Sequence, residues 1–485
     1  MELVLILTLP ILGGVVVGWW RHRWAGWVAV ASNGAVLILG AWTAARVVKD
    51  GPLIGAAGVL RADALSAFMV VVIGTIAVLA SWLGIRTIAL EVAGGQCTPR
   101  RVAVYGVLVQ AFIAAMLLAV LAANVGVLWV AVEATTVVTT FLVGHRRTKG
   151  ALEASWKYIV ICSVGVALAF FGTVLVYLAA SHAGGHSAGA LNWTSLMAHA
   201  HSLNHSVLRL GFALVVLGYG TKVGLAPLHS WLPDAHSQAP APISALMSGV
   251  LLTVAFYAIL RFKAVTDLAI GPGFSRTLLV TAALLSLAVA ASLLLTQRDY
   301  KRMLAYHSIE HMGLIALGAA AGIPLAIAAV LLHILGHGLA KSVLFLTSGE
   351  IMAAEGTSQI DEVRSLLARR PALGGLFSVG LVALLGLPPF SLFSSELLMA
   401  RAEFQVGLGW AAVAAAVAMV IIFVAVVGHA RHMLVGPSSS PDPLAPPPNW
   451  VTAPLVGGLV VCGLIGVLAW PLSGLLQVAA HVVAP

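Results

Sequence analysis

Residues 220–252 read GTKVGLAPLHSWLPDAHSQAPAPISALMSGVLL. Lys222 follows an uncharged run, GFALVVLGYGT at 211–221, and Pro227 comes five residues after it. His229, Asp234, His236 and further prolines intervene before a second apolar run begins. Proline removes a backbone donor and clashes with the preceding turn, so a helix entering this stretch is expected to break at Pro227. The freed carbonyls cannot be satisfied by lipid, so the break must face protein or water. On this reading His229, Asp234 and His236 line a watery approach from the inner side of a membrane, and Lys222 is the first buried station.

The rest of the chain supplies the membrane. Of 485 residues, 60% are hydrophobic and 9% charged, against roughly a quarter charged in a soluble domain. Apolar runs long enough to cross about 30 Å of hydrocarbon as helix recur about fourteen times. They lie near 2–20, 27–48, 62–86, 102–121, 123–144, 156–180, 207–229, 240–262, 277–296, 303–322, 324–350, 372–399, 409–432 and 451–478. These are numbered spans one to fourteen below. The first lacks a basic leader and a small-residue cleavage site, so it reads as a retained span.

The formal charge of +9 does not point to nucleic acid. With the N-terminus outside, the inner loops hold RHRW (21–24), PRR (99–101), HRRTK (145–149), QRDYKR (297–302) and RSLLARR (364–370). That is the direction of the positive-inside rule. Both termini are then expected on the outer face of a cell's inner membrane. The three cysteines are far apart and form no CxxC, and no glycine-rich phosphate motif is present, so no iron–sulfur, zinc or nucleotide cofactor is expected. The outer stretch 181–206 holds five histidines but no carboxylate or cysteine, and reads as a polar loop. Residues 436–449 read as a proline-rich linker.

A weak internal symmetry divides the chain. Span seven is expected to break at Pro227, and span twelve at Pro388 and Pro389 in LLGLPPFSLFSSELL. Each break lies near an ionisable residue, Lys222 or Glu396. Glu133 in span five is matched five spans later by Glu310 in span ten. An odd offset reverses orientation, which is the pattern of inverted repeats in transporters. The expected organisation is an N-terminal three-helix segment (1–101), a first repeat of spans four to eight (102–262), a second of spans nine to thirteen (277–432), and a linker with the last span (433–485).

Glu133 has no charged neighbour for ten residues on either side. A charge at that depth costs at least about 2.5–3.5 kcal/mol, and Lys222 offers it a partner. Paired, both stay charged; parted, burial favours the neutral form of each. Such a pair holds or releases a proton. In span eleven, His333, His337 and Lys341 are spaced i, i+4, i+8 and stack on one helix face. Ile334 stands where a metalloprotease helix needs glutamate, so the stripe reads as a proton relay, with Gly336 and Gly338 softening the helix for water. Glu396 follows the span-twelve break as a gate. Glu310 and His311 are further candidates, and Lys157 reads as a snorkelling anchor that tunes the field. Moving one proton against 100 mV takes about 2.3 kcal/mol, which separation of one buried ion pair can supply.

Four stretches together, KVGLAPLHSWLPDAHSQAPAPISALMSGVLL, DYKRMLAYHSIEHMG, HILGHGLAKSVLFLTSGEI and GLPPFSLFSSELL, resemble the antiporter-like subunits of respiratory complex I, multi-subunit sodium/proton antiporters and energy-converting hydrogenases. AYHSIEHMG and VEATTVVTTFLVG look most like the F component of hydrogenase-4 and formate hydrogenlyase-type complexes. The resemblance implies an all-helical polytopic fold of fourteen spans in two inverted five-helix bundles, with a polar axis at mid-membrane. It implies a coupling pair at Glu133 and Lys222, a central lysine with histidines at Lys341, His337 and His333, and a gate at Glu396. Two positions depart from it: Thr253 stands where many relatives carry lysine, and Ser395 where some do. The implied function is proton translocation in a redox-driven complex, beside other membrane subunits and a peripheral hydrogenase-like or dehydrogenase-like module. A cation/proton antiporter moving Na⁺, a proton subunit of an inorganic-carbon uptake complex and a quinone-binding membrane enzyme are the alternatives.

Overall fold

The computed structural model describes residues 1–19, 24–95, 97–181, 189–437, 447–468 and 470–484. Arg21, His22 and Arg23 of the first loop, His182 and His186 of the histidine-bearing loop, and most of the proline-rich linker lie outside the described residues. Among the described residues, twelve helical segments are long and apolar enough to cross a membrane. Two further crossings complete fourteen. Span ten, Tyr300–Ala321, is 22 residues long but is diluted by His307, Glu310 and His311. Span twelve is split into Pro371–Leu384 and Ser391–Gln405. The last apolar run is also two helices, Asn449–Val467 and Trp470–Val483, the second lying against spans two, three and eleven.

One face of the bundle carries the N-terminus, a short hairpin that pairs Leu53 with Ala62, and bridges Leu60↔Ala122 and Asn124↔Asn192. There Asp63 caps span three by accepting from Ser66 N at 3.0 Å. It also takes both arms of the Arg261 guanidinium at 2.6 Å, clamping span three to span eight. Burial alone would raise the Asp63 carboxyl, but Arg261 outweighs it and holds the group below the usual carboxylate range. The opposite face gathers Arg86, Arg146, Lys157, Arg302, Arg369 and Arg370 in ion pairs with Glu350, Glu91, Asp234 and Glu355.

Spans eight and eleven form the centre, and the most apolar stretch of each is wholly buried. Glycines let the spans close on one another. A Cβ on Gly218 of span seven would meet Ala169 N of span six at 2.4 Å, and one on Gly165 would meet Thr221 Cβ at 2.6 Å, the small-residue packing that membrane helices favour. Gly336 and Gly338 work the same way. Cβ atoms there would meet Ser391 Oγ at 2.2 Å and Gly249 O at 2.9 Å. They are contact points for spans twelve and eight, and span eleven runs unbroken through them.

The breaks fall before the prolines. Span seven ends at Val223, where Gly224 takes the left-handed conformation (φ 84°) and its N–H returns to Thr221 O, a glycine C-cap. Pro227 lies three residues beyond, in coil, followed by a short helix Trp231–Gln238. In span twelve the first helix ends at Leu384 and Gly386 turns the chain at φ 63°, ahead of Pro388 and Pro389. Glycine stops these helices because only it enters that region without strain.

Candidate functional site

The C-cap puts Lys222 in the last turn of span seven, where the helix dipole favours a cation. The side chain is fully buried and points at spans five and six. Its Nζ donates to Thr136 Oγ1 at 2.8 Å and to Tyr158 OH at 2.6 Å. Glu133 does not close an ion pair with it. That half-buried carboxylate accepts from Ser163 Oγ at 3.4 Å through Oε1, while Oε2 is buried without a hydrogen-bond partner. The expected pair is therefore present as neighbours held apart, with the lysine on hydroxyls. Thr136 and Tyr158 were missed in the sequence because they carry no charge to mark them.

The approach residues separate. Asp234 stands at the opposite face between Lys157 Nζ at 2.9 Å and Arg302 Nη1 at 2.7 Å. Lys157 also meets Glu153 at 2.6 Å, a surface cluster away from the axis. His229 is half-buried in the coil. His236 is not part of an entrance. It is fully buried, packed between Trp231 at 6.3 Å and Phe345 at 5.5 Å ring to ring, and neither nitrogen has a hydrogen-bond partner. It stands between Lys222, whose partner Tyr158 touches Trp231, and Lys341, whose ammonium lies 5.8 Å from the Phe345 ring. Thr253 fills none of this gap, because its hydroxyl turns back to Val250 O at 2.8 Å.

Lys341 donates to the Leu304 carbonyl of span ten. One turn back, His337 has no hydrogen-bond partner but lies 5.0 Å from the His311 ring. His311 stacks on His307 at 4.9 Å and 10°, and His307 Nδ1 lies 2.7 Å from Glu310 Oε2, out of line for a hydrogen bond. His307 is a further residue the sequence reading did not single out; its i, i+4 spacing to His311 was the available signal.

A hydrogen-bonded chain then crosses the break of span twelve. His311 Nε2 meets the Leu384 carbonyl at 3.1 Å, His311 Nδ1 meets His333 Nε2 at 2.9 Å, His333 Nδ1 meets Ser395 Oγ at 2.9 Å, and Ser395 Oγ donates to Leu392 O at 2.8 Å. Both ends are carbonyls, which only accept. Two neutral imidazoles and one hydroxyl bring three protons to these four bonds. Every bond is filled only when the chain holds one proton more. Ser395, in a position where the resemblance allows a lysine, thus supplies the hydroxyl that links His333 to the Leu392 carbonyl.

Metal binding fits two of the residue clusters poorly. His311, His333 and Glu396 bring ligand atoms within 4.8 Å, yet both imidazoles are committed on both nitrogens. Glu91, Cys97 and His145 form a second such group, but Arg146 holds Glu91 at 2.9 Å. Burial pushes the Cys97 thiol up, away from the thiolate a metal needs.

Fold and site together define a polytopic membrane protein with a buried titratable axis strung between two broken helices. Residues 122–422 match the family model described as NADH:quinone oxidoreductase/Mrp antiporter, TM, and the chain belongs to that family. It is 43% identical over 324 residues to a Hydrogenase-4 component F homolog of Methylacidiphilum infernorum (isolate V4), covering 66% of this chain and 67% of that one. Hydrogenase-4 component B of Escherichia coli (strain K12) is 31% identical over 351 residues, 70% of this chain and 50% of that protein, so the chain spans about half the length of that relative. A chain of the membrane-bound sulfane sulfur reductase, an archaeal respiratory membrane complex, superposes with TM-score 0.89 at 24% identity over 100% of this chain and 98% of its own. A chain of the Mrp complex from Dietzia sp. DQ12-45-1b does so with TM-score 0.83 at 22% identity over 99% and 97%. These two share the fold.

Proposed function

We propose that this chain carries protons across the membrane as the antiporter-like subunit of a redox-driven complex of the hydrogenase-4 or complex I type. One observation supports this above the others. Lys222, His236, Lys341, His337, His311 and His333 are each at most 1% exposed and succeed one another between the two helix breaks. Buried ionisable groups in a membrane are costly and mark ion pathways. Histidines that can donate and accept at once suit protons, whereas Na⁺ needs oxygen ligands that the axis offers sparsely.

In this reading Lys222 is the loaded station beside the opposite face. Swinging from Thr136 and Tyr158 to Glu133 changes whether its proton is held. His236 and Lys341 pass the proton to the histidine chain, and the chain's excess proton leaves toward Glu396. The basic opposite face is cytoplasmic by the positive-inside rule, which puts the N-terminus outside. Neighbouring membrane subunits and a peripheral redox module would drive the swing, and the covalent chemistry belongs to them.

The test uses the complex purified through a tag on this chain and reconstituted in liposomes. A potassium-diffusion potential drives proton entry, read by a trapped pH dye. Lys341→Ala is expected to cut the flux by about tenfold or more with the complex intact. Parental flux in that variant would end the proposal. Mass spectrometry of the same preparation identifies the partners, and a redox module is the expected finding.

A further inference from the structure

At the basic face, spans four, five and six part into an open groove of about 1280 Å³. Arg100, Arg101 and Arg147 line it together with His145, and no carboxylate does. Arg100 and Arg101 belong to the first turn of Pro99–Leu121, and Arg147 follows the turn Gly144–Arg146 that joins spans five and six. All three therefore stand at the end of the groove nearest the basic face. On that face Arg86, Arg146, Arg302, Arg369 and Arg370 each meet a carboxylate. Among the described residues, the exposed Arg100 and Arg147 meet none, and Arg101 donates to the His145 carbonyl. Deeper in the membrane the wall is apolar: Val104 and Leu108 of span four, Phe141 of span five, and Leu152, Trp156 and Ile159 of span six. Trp156 is 69% and Phe141 63% exposed. From Arg100 to Leu108 the wall descends about 12 Å along the helix axis.

We propose that this groove binds one anionic phospholipid of the leaflet at the basic face, its phosphate among Arg100, Arg101 and Arg147 and an acyl chain along the apolar wall. The site goes beyond proton carriage, since no residue of the buried axis lines it. Its two ends ask for a ligand of two parts. A guanidinium fork matches phosphate geometry and is weakly hydrated, and basic pockets between spans on the cytoplasmic side hold anionic headgroups. The start of span four adds positive potential, and Thr98, which lines the groove, does not cap that start with its side chain. Trp156 sits within three turns of the helix start at Lys149, the interfacial depth at which indole rings favour the headgroup level. A free phosphate would use the arginines and leave the apolar wall bare. A neighbouring membrane subunit would cover the wall but would have to bring carboxylates to three arginines, whereas the leaflet offers phosphate and hydrocarbon together at this depth.

The test uses the intact complex in liposomes that contain a trace of phosphatidylglycerol with a photoreactive diazirine on one acyl chain. After illumination, peptide mapping is expected to find lipid adducts within 99–108 and 141–159. A phosphatidylcholine probe with the same chain is expected to label these stretches about tenfold less, because its choline offsets the phosphate charge. Arg100→Gln combined with Arg147→Gln is expected to lower phosphatidylglycerol labelling by about tenfold, and Arg100→Lys combined with Arg147→Lys to keep most of it. Equal labelling by the two probes would reduce the groove to an apolar surface and overturn the proposal. Adducts absent from both stretches of the parental complex would mean that a neighbouring subunit covers the groove, and would overturn it as well. Undiminished labelling in the glutamine pair would remove the arginines from the site. If that pair does not assemble, the two probes compared on the parental complex decide.

Discussion

Lys222 ends a helix and rests on two hydroxyls, whereas His311 and His333 lie inside continuous helices and hold one another. Each region follows from what its side chain can do. An ammonium only donates, so a proton on Lys222 leaves only if the side chain moves or an acceptor comes to it. In the proposed path Glu133, with one oxygen unpartnered, is that acceptor. An imidazole accepts on one nitrogen while donating from the other, so an added proton is shared along the His311–His333–Ser395 chain by shifts of hydrogen alone, and it leaves the chain only when a side chain turns to another acceptor. In the proposed path the first region acts as a mechanical switch and the second as a wire. The breaks serve them differently as well. In span seven the Thr221 carbonyl, which also accepts the capping Gly224 N–H, takes the Trp231 indole N–H at 2.8 Å, a packing contact. In span twelve the freed Leu384 carbonyl becomes a terminus of the wire.

That contrast breaks most visibly if scaffold and proton chemistry prove inseparable. Asp63→Asn leaves the buried Arg261 guanidinium unpaired and is expected to lower stability by about 3–5 kcal/mol, read as a drop in thermal unfolding temperature of the complex, with flux per assembled complex unchanged. Because the folded Asp63 carboxyl sits below its unfolded value, the clamp contributes fully above the unfolded value. Its contribution is lost as pH falls through the lower folded one. A parental protein therefore loses this stabilisation only in acid, and Asp63→Asn lacks it at every pH.

Lys222→Ala removes the switch, and no other titratable side chain takes its contacts, so flux is expected to fall by roughly a hundredfold. Lys222→Arg should fare as badly, since a guanidinium does not release its proton; normal flux with arginine would show that only charge is needed. Ser395→Ala cuts the wire at one bond and is expected to lower flux about fivefold, with most of it returned by Ser395→Thr. His337→Ala should cost less than His333→Ala, about twofold, because His337 makes no hydrogen bond and stands beside the wire. A larger loss at His337 than at His333 would reverse the assignment. Tyr158→Phe leaves Thr136 to hold Lys222 and is expected to change flux by about twofold or less.

Charge at depth was legible in the amino-acid order. Glu133, Lys222, Lys341 and Glu396 stand out because each interrupts an apolar run, and the i, i+4, i+8 spacing put His333, His337 and Lys341 on one face before any fold was known. The uncharged members were not legible. Thr136, Tyr158 and Ser395 are ordinary residues of membrane helices until another span brings a polar group within about 3 Å.

The sequence by itself determined that the chain crosses a membrane about fourteen times, which runs do so, and which side chains bear the cost of being charged inside it. Those follow from hydropathy and periodicity, which act within one segment. Tertiary structure alone decided that Lys222 rests on hydroxyls apart from Glu133, that His236 bridges the two regions deep inside the protein, and that Leu384, His311, His333 and Ser395 join across a broken helix. Hydrogen bonds are short and directional, so the bonds between spans exist only once close glycine contacts have set each helix to within a fraction of an ångström of the next.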